Sequence, residues 1–153
     1  MSAFLEKIKA HRLYAPLMQF VRFGLVGVSN TAISYAVEML GYYVLFAGSP
    51  MDERVKVTLV SALSFAVSTI NSYYWNNRFV FGKGEKKPLG EHLLAYLRMA
   101  ACYAVTGLVL SPLIKLGLGR LGVPFWAASI STLIVTIPLN FVLNKFWAFA
   151  KKK

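Results

Sequence analysis

Four stretches of this chain are long and apolar enough to cross a lipid bilayer as α-helices, which takes about 20 residues each. Together they contain only three charged side chains. The whole chain has 57% hydrophobic and 15% charged residues, whereas soluble domains average about 25% charged. We therefore predict an all-α integral membrane protein whose four transmembrane helices form two hairpins. The predicted spans cover about residues 23–47, 57–77, 93–118 and 121–144.

The distribution of Lys and Arg predicts the orientation of these spans. Of the 17 basic residues, 13 lie in the segment up to Arg22, in the central loop from Arg78 to Arg98, or from Lys145 onward. The other two loops hold four. Because cytoplasmic loops are enriched in basic residues, we expect both termini and the central loop to be cytoplasmic. In so apolar a chain, the net charge of +11 indicates anionic lipids rather than nucleic acid as a partner.

Two short segments beside the spans have the composition of interfacial helices. Residues 3–15 mix apolar and basic side chains, as helices that lie in the membrane surface do. We expect this helix to stop near Pro16 and a similar stretch to follow Pro88.

The two hairpins resemble each other, which indicates an internal repeat. Arg22 stands at the start of the first span, and Arg98 stands 76 positions later at the start of the third. Asn76 stands at the end of the second span, and Asn144 stands 68 positions later at the end of the fourth. We predict one membrane domain over residues 1–153, with repeat one at about 18–83 and repeat two at about 94–151.

Polar side chains form matching stripes in the second and fourth spans. Each stripe follows the helical period and therefore occupies one helix face. Two interpretations stay open at this point: close packing between helices, or a polar wall that faces a cavity. The offset of 68 relates Ser61, Ser64, Ser68, Ser72 and Asn76 to Ser129, Thr132, Thr136, Asn140 and Asn144.

The first span carries a polar stripe of its own, Asn30, Ser34 and Glu38. A charge inside a bilayer costs at least about 2.5–3.5 kcal/mol on insertion scales, so Glu38 is expected to face a partner or a cavity. It lies about 24 Å beyond Arg22 along the helix, in the outer half of the membrane. A structural ion pair with Lys115, a proton-coupling site and a contact with substrate hydroxyls are the alternatives.

Basic residues flank the spans at the cytoplasmic side. Such a group suits a phosphate, because a guanidinium binds phosphate oxygens bidentately. Ordinary orienting charges are the alternative interpretation. The predicted phosphate-binding residues are Arg22, Arg78, Arg98 and Lys145, with Asn76, Asn77 and Asn144 as neutral donors.

No set of residues typical of an enzyme is present. There is no Ser/His/Asp set, no pair of carboxylates in one span and no glycine-rich phosphate loop. The one cysteine and two histidines do not provide for a disulfide framework or a Cys/His zinc site. We expect no catalytic activity, no metal and no cofactor.

Several motifs resemble those of the GtrA-like family of small four-span membrane proteins. They cover nearly the whole chain, about residues 18–150. The motifs are FVRFGLVG at 20–27, Asn30-Thr31, RFVF at 78–81 and NFVLNKFWAF at 140–149.

This resemblance implies a role in cell-surface polysaccharide synthesis in the bacterial cytoplasmic membrane. Family members are associated with moving polyprenyl-phosphate-linked sugars to the outer leaflet. The expected partners are that lipid-linked sugar, anionic lipids and a membrane glycosyltransferase. The cytoplasmic cations would capture the phosphate. The headgroup path would be lined by Asn30, Ser34, Glu38, Ser61, Ser64, Ser68, Ser72, Thr132, Thr136 and Asn140.

Two other functions are considered. A small multidrug-resistance-like antiporter also has four spans and a Glu in the first, and Tyr42, Tyr43 and Trp75 would provide aromatic partners for a cation. A membrane partner of a glycosyltransferase that transports nothing is the second. A homodimer is considered as well, because one set of four spans has little interior.

Overall fold

The computed structural model describes residues 14–82 and 88–150, without the side chains of Phe125 and Trp126. Over these residues the regular secondary structure is entirely helical. Helices α1 to α5 alternate with four π-helical turns, π1 to π4. In chain order the elements are α1 (Tyr14–Leu40), π1 (Gly41–Leu45), α2 (Glu53–Trp75), π2 (Asn76–Val80), α3 (Leu89–Ala104), π3 (Val105–Leu110), α4 (Ser111–Arg120), α5 (Phe125–Leu143) and π4 (Asn144–Ala148).

Four helical segments are long and apolar enough to cross a membrane, which confirms the predicted all-α membrane fold. Large apolar side chains along these segments are exposed, such as Val28 at 70% and Leu108 at 76%. Such exposure is expected where lipid replaces water around the helices. The four spans are Tyr14–Leu45, Glu53–Val80, Leu89–Arg120 and Ala127–Ala148.

The structure corrects one of the two predictions about interfacial segments, and the other stays a prediction. The segment predicted over residues 3–15 lies outside the described residues, except that Tyr14 and Ala15 begin α1. Pro16 lies in the first described turn of α1. The residues after Pro88 form no separate interfacial helix, because they are the first turns of α3.

The chain falls into two compact units that divide after Gly84. In the first unit, α1 and α2 form an antiparallel hairpin. Gln19 donates from Nε2 to the carbonyl oxygen of Val80 at 2.8 Å. At the opposite end, a Cβ atom on Gly41 would lie 3.0 Å from Val60 Cγ1. Glycine at position 41 therefore lets the two helices approach closely there.

The second unit is a hairpin in which α3, π3 and α4 form one span and α5 with π4 forms the other. The π3 turn comes directly before Pro112, which occupies the first turn of α4. Proline lacks the N–H that would bond the carbonyl four residues back, and its ring crowds that carbonyl. A wider π turn accommodates both effects. Helix α5 stays α-helical through Pro138.

The two hairpins end in the same local structure. The backbone N–H of Phe81 donates to the carbonyl oxygen of Asn76 at 2.8 Å, which closes π2. The N–H of Phe149 donates to the carbonyl oxygen of Asn144 at 2.9 Å, which closes π4. These residues are related by the offset of 68 found in the sequence, so the repeat extends to the backbone conformation of the span ends.

Candidate functional site

Two cations meet the π2 turn at the end of the first hairpin that is predicted to be cytoplasmic. Arg22 donates from a guanidinium nitrogen to the carbonyl oxygen of Phe79 at 3.5 Å. The guanidinium carbon of Arg78 lies 5.6 Å from the centre of the Phe79 ring. The last carbonyl groups of a helix lack intrahelical partners, and positive charge near them is favourable. Both arginines therefore sit where the helix end attracts cations.

The second hairpin repeats this arrangement. Arg98 donates to the carbonyl oxygen of Trp147 at 3.5 Å, and its guanidinium carbon lies 6.0 Å from the Trp147 ring centre. Lys145 Nζ lies 5.5 Å from the ring centre of Phe141 and 5.7 Å from that of Phe146. Each hairpin thus holds one arginine on a carbonyl of its π turn, at repeat-related positions.

These arginine contacts leave most of each guanidinium available to an anion. A separation of 3.5 Å exceeds the usual 2.7–3.2 Å range of N–H···O hydrogen bonds, so each contact is weak. Each guanidinium has five N–H donors in a planar fork, and one of them makes this contact. Arg22 is exposed and Arg98 is half-buried. A phosphate can therefore bind bidentately without breaking a strong bond within the protein.

Two of the three predicted neutral donors are buried in this conformation. Asn76 and Asn144 are fully buried. Asn76 Nδ2 donates to Ser72 Oγ at 3.1 Å, and Asn144 Nδ2 donates to the carbonyl oxygen of Asn140 at 2.7 Å. Asn77 is half-buried, with its amide oxygen enclosed. The Asn76 and Asn144 amides bond inside their own hairpins, and binding of phosphate by all three residues stays a prediction.

The polar stripe of the second span is largely buried, and part of it joins two helices. Ser64 Oγ donates to the carbonyl oxygen of Ser34 at 3.0 Å, and the two hydroxyl oxygens lie 2.6 Å apart. Ser68 Oγ bonds within α2, to the carbonyl oxygen of Phe65 at 3.2 Å. The Ser34–Ser64 contact has the form expected of helix packing.

The fourth span has the same character, with one contact that the sequence analysis missed. Thr132 donates to the carbonyl oxygen of Ala128 at 2.8 Å, and Thr136 is buried. Asn140 accepts a hydrogen bond at its amide oxygen from Thr106 Oγ1 at 3.0 Å. Thr106 follows Asn30 by the repeat offset of 76, and that comparison would have identified it. Ser129, which matches Ser61, is half-buried.

Glu38 lines an open groove of about 230 Å³ between α1, π1 and α2. The groove lies at the end of the first hairpin predicted to face outward. Its other lining residues are Met39, Tyr42, Tyr43, Val57, Val60 and Ser61. The structure thus brings together Glu38 and Ser61 from the predicted headgroup path.

Only two of the three aromatic residues expected beside Glu38 lie there in the structure. Tyr42 and Tyr43 line the groove, whereas Trp75 lies at the other end of α2 and donates to Asn71 Oδ1 at 2.9 Å. Trp75 therefore takes no part in this site, because nearly a whole span separates it from Glu38. The pairing of Glu38 with Lys115 stays a prediction, since the two residues belong to different compact units.

The fold and these sites define a class of protein: a helical membrane domain built from two repeated hairpins, each with arginine at one end. The chain belongs to the GtrA/DPMS transmembrane-domain family, whose model matches residues 22–149. The matched region begins at Arg22, which contacts the Phe79 carbonyl oxygen, and ends at Phe149, which closes π4. A comparison with curated proteins gives no match. The family connects this membrane domain with glycan and polysaccharide synthesis from lipid-linked sugars.

Proposed function

We propose that this protein translocates a polyprenyl-phosphate-linked sugar across the bacterial cytoplasmic membrane, from the inner to the outer leaflet. The observation that carries the proposal is the repeated arginine contact, Arg22 on Phe79 and Arg98 on Trp147. The same weakly held guanidinium occurs once in each hairpin of a family connected with lipid-linked sugars.

The charge of the substrate accounts for the arginines. The lipid carries a phosphate, and removing that anion from water is costly unless a cation pairs with it. Arg22 and Arg98 would accept the phosphate from the cytoplasmic headgroup region, with Arg78 and Lys145 nearby in their own hairpins. The same cations attract anionic lipids. Bidentate binding of its phosphate would favour the lipid-linked sugar over these other lipids.

The sugar accounts for polar groups within apolar spans. Its hydroxyl groups require hydrogen-bond partners as they cross the hydrocarbon layer, because each unsatisfied polar group there costs several kcal/mol. Asn30 presents a buried amide oxygen that accepts no hydrogen bond among the described residues. Ser34, Ser68, Thr136 and Asn140 provide further polar groups along the spans. The polyprenyl tail would remain in lipid throughout.

The proposed process transfers no chemical group. The protein would deliver its lipid-linked sugar to a membrane glycosyltransferase that uses the sugar outside. In this role it works as a carrier without cofactor or metal.

Thermal stability of the purified protein in detergent tests the binding step. A ligand that binds only the folded state raises the melting temperature. Undecaprenyl phosphate and its glucose-linked form should both raise it. In the Arg22→Ala, Arg98→Ala double variant, affinity for undecaprenyl phosphate should fall at least about tenfold, the size of one hydrogen bond to a charged group.

The matched control removes two arginines from the side predicted to be outside, Arg54→Ala with Arg120→Ala. It changes the net charge equally and should leave lipid binding unchanged. An equal melting-temperature shift in the wild type and in a folded Arg22→Ala, Arg98→Ala variant would refute phosphate capture by these residues.

Cation export is the second candidate function, because the groove combines a carboxylate with two tyrosines. A proton-coupled antiporter needs such a carboxylate to exchange protons for its substrate. A melting-temperature rise with tetraphenylphosphonium but not with the lipid phosphates, abolished in Glu38→Gln, would favour this candidate over translocation.

A further inference from the structure

The groove beside Glu38 occurs in the part of the first hairpin where the two repeats differ most in chemistry. The offset of 76 relates Glu38, Tyr42 and Tyr43 to Ile114, Leu118 and Gly119. The second hairpin therefore uses apolar residues or glycine at these positions, and it still forms a compact unit. Packing of such a hairpin does not require the carboxylate or the two tyrosines.

Keeping a carboxylate at position 38 is costly. The insertion penalty of a charged side chain is largest at the centre of a bilayer and decreases toward its surface. Isoleucine at the equivalent position 114 avoids it. A costly residue that the fold does not need is expected to serve a ligand.

We propose that this groove binds the sugar of the lipid-linked substrate on the outer side of the membrane. This inference rests on the proposed function and adds a second, outer position for the headgroup, about 24 Å along α1 from Arg22, which the sugar would occupy after the phosphate has left the arginines. The site would be formed by Glu38, Ser61 and Tyr43, over a floor of Val60.

The lining matches the chemistry of a monosaccharide. A sugar ring has hydroxyl groups around its edge and apolar C–H groups on its faces. The Glu38 carboxylate accepts hydrogen bonds from two neighbouring hydroxyls, and charge-assisted bonds of this kind are the strong ones. Ser61 is exposed in the groove and both donates and accepts. Tyr43, 66% exposed, provides an aromatic face for the C–H groups.

Three contacts hold Tyr42 and thereby position Tyr43. The Tyr42 hydroxyl donates to Glu53 Oε1, and Lys56 Nζ lies 4.1 Å from the centre of the Tyr42 ring. The Tyr43 ring packs edge-on against that of Tyr42, with centroids 4.9 Å apart. The first turn of α2 thus fixes one aromatic ring, and the next ring along π1 is held against it.

Two features favour a sugar over an organic cation. Lys56 Nζ already occupies a face of the Tyr42 ring, so that face is not open to a second cation. The volume of about 230 Å³ is also below the roughly 300–1,000 Å³ of pockets for drug-sized ligands. A single sugar ring is the better fit in size.

Binding measurements on the full-length protein test the site through its preference for glycosylated lipid. The probes are undecaprenyl phosphate and its glucose-, galactose- and arabinose-linked forms, compared by melting-temperature titration in detergent. Wild-type protein should prefer at least one glycosylated form over the bare phosphate. Glu38→Gln should reduce that preference about tenfold, as expected for loss of a charge-assisted hydrogen bond, while affinity for bare undecaprenyl phosphate stays unchanged.

The repeat offers matched controls. Ser61→Ala should reduce the preference, whereas Ser129→Ala, its equivalent in the second hairpin, should not. Tyr43→Ala should reduce it, whereas Tyr35→Ala, an exposed tyrosine on α1, should not.

The outcomes separate this inference from the proposed function. If bare undecaprenyl phosphate binds and the preference is absent, or survives Glu38→Gln, the groove does not recognise sugar. If no lipid phosphate binds, the proposed function fails as well. Binding of tetraphenylphosphonium that Glu38→Gln abolishes would assign the groove to a cation and overturn the inference.

Discussion

The Thr106 hydroxyl shares its hydrogen between the amide oxygen of Asn140, 3.0 Å away across the second hairpin, and the carbonyl oxygen of Cys102, 2.8 Å away in its own span. The repeat relates the first two of these residues to Asn30 and Ser72 in the first hairpin. The first hairpin therefore has the amide on its first span and the hydroxyl on its second, whereas the second hairpin has the reverse arrangement. Arginine contacts the same carbonyl position in both hairpins. The two helices of each hairpin are therefore aligned in the same register, and the exchanged residues stand at the same height in both hairpins.

Removing the two polar groups singly and together tests whether the pair acts as a unit. Thr106→Val and Asn140→Ala should each destabilise the protein, because each leaves the other polar group without its partner across the hairpin. The double variant removes both partners at once, so it should be more stable than the sum of the single effects predicts. Interhelical hydrogen bonds in membranes contribute about 0.6 kcal/mol on average and up to about 1.7 kcal/mol.

A double-mutant cycle from unfolding in detergent measures this coupling. Purely additive single effects would show that the contact carries no stability of its own.

Gly82 is expected to be intolerant of a side chain. A Cβ atom there would overlap the amide oxygen and the carbonyl oxygen of Asn77. Gly82→Ala should therefore destabilise the end of the second span by about 1–3 kcal/mol, the usual range for overpacking. The free energy of unfolding in detergent provides the measurement.

Gly24→Ala is the control, because a Cβ atom at position 24 meets nothing within 4 Å. It should leave stability unchanged or raise it by about 0.5–1 kcal/mol through helix propensity. Equal effects of the two substitutions would contradict the close contact at Gly82.

Cysteine labelling tests the predicted orientation. Leu89 and Leu121 are 84% and 80% exposed, and the natural Cys102 is 2% exposed, so background labelling should be low. A membrane-impermeant maleimide added to intact bacterial cells should label Leu121→Cys, and should label Leu89→Cys only after permeabilisation. The reverse pattern would place the arginines outside and contradict phosphate capture from the cytoplasm.

Much of the fold follows from the sequence because a bilayer imposes few solutions. Backbone groups in lipid must bond internally, so long apolar segments become helices. The offsets of 76 and 68 also relate Arg22 to Arg98 and Phe79 to Trp147, the residues of the repeated contact. The four π turns were not predictable, because one wider turn leaves no clear signal in the apolar pattern.

The candidate sites were less predictable for a physical reason. The position of Tyr42 depends on Glu53 and Lys56, which follow a turn whose geometry the sequence does not specify. Burial of Asn76 and Asn144 likewise depends on packing around the span ends. Their residue type alone suggested ligand binding, whereas the structure shows their amides bonded within each hairpin.

The central claim is that this protein moves lipid-linked sugar between leaflets, and reconstituted liposomes test it most directly. Undecaprenyl phosphate-linked glucose is placed in both leaflets, and periodate, which does not cross the membrane, oxidises the sugar exposed outside. With wild-type protein, periodate should oxidise the lipid-linked glucose of both leaflets. The Arg54→Ala, Arg120→Ala control should behave in the same way. The Arg22→Ala, Arg98→Ala variant should slow the reaction of the inner half at least about tenfold. If periodate oxidises only the glucose of the outer leaflet although the wild-type protein is folded, the protein does not translocate this lipid and the account is wrong.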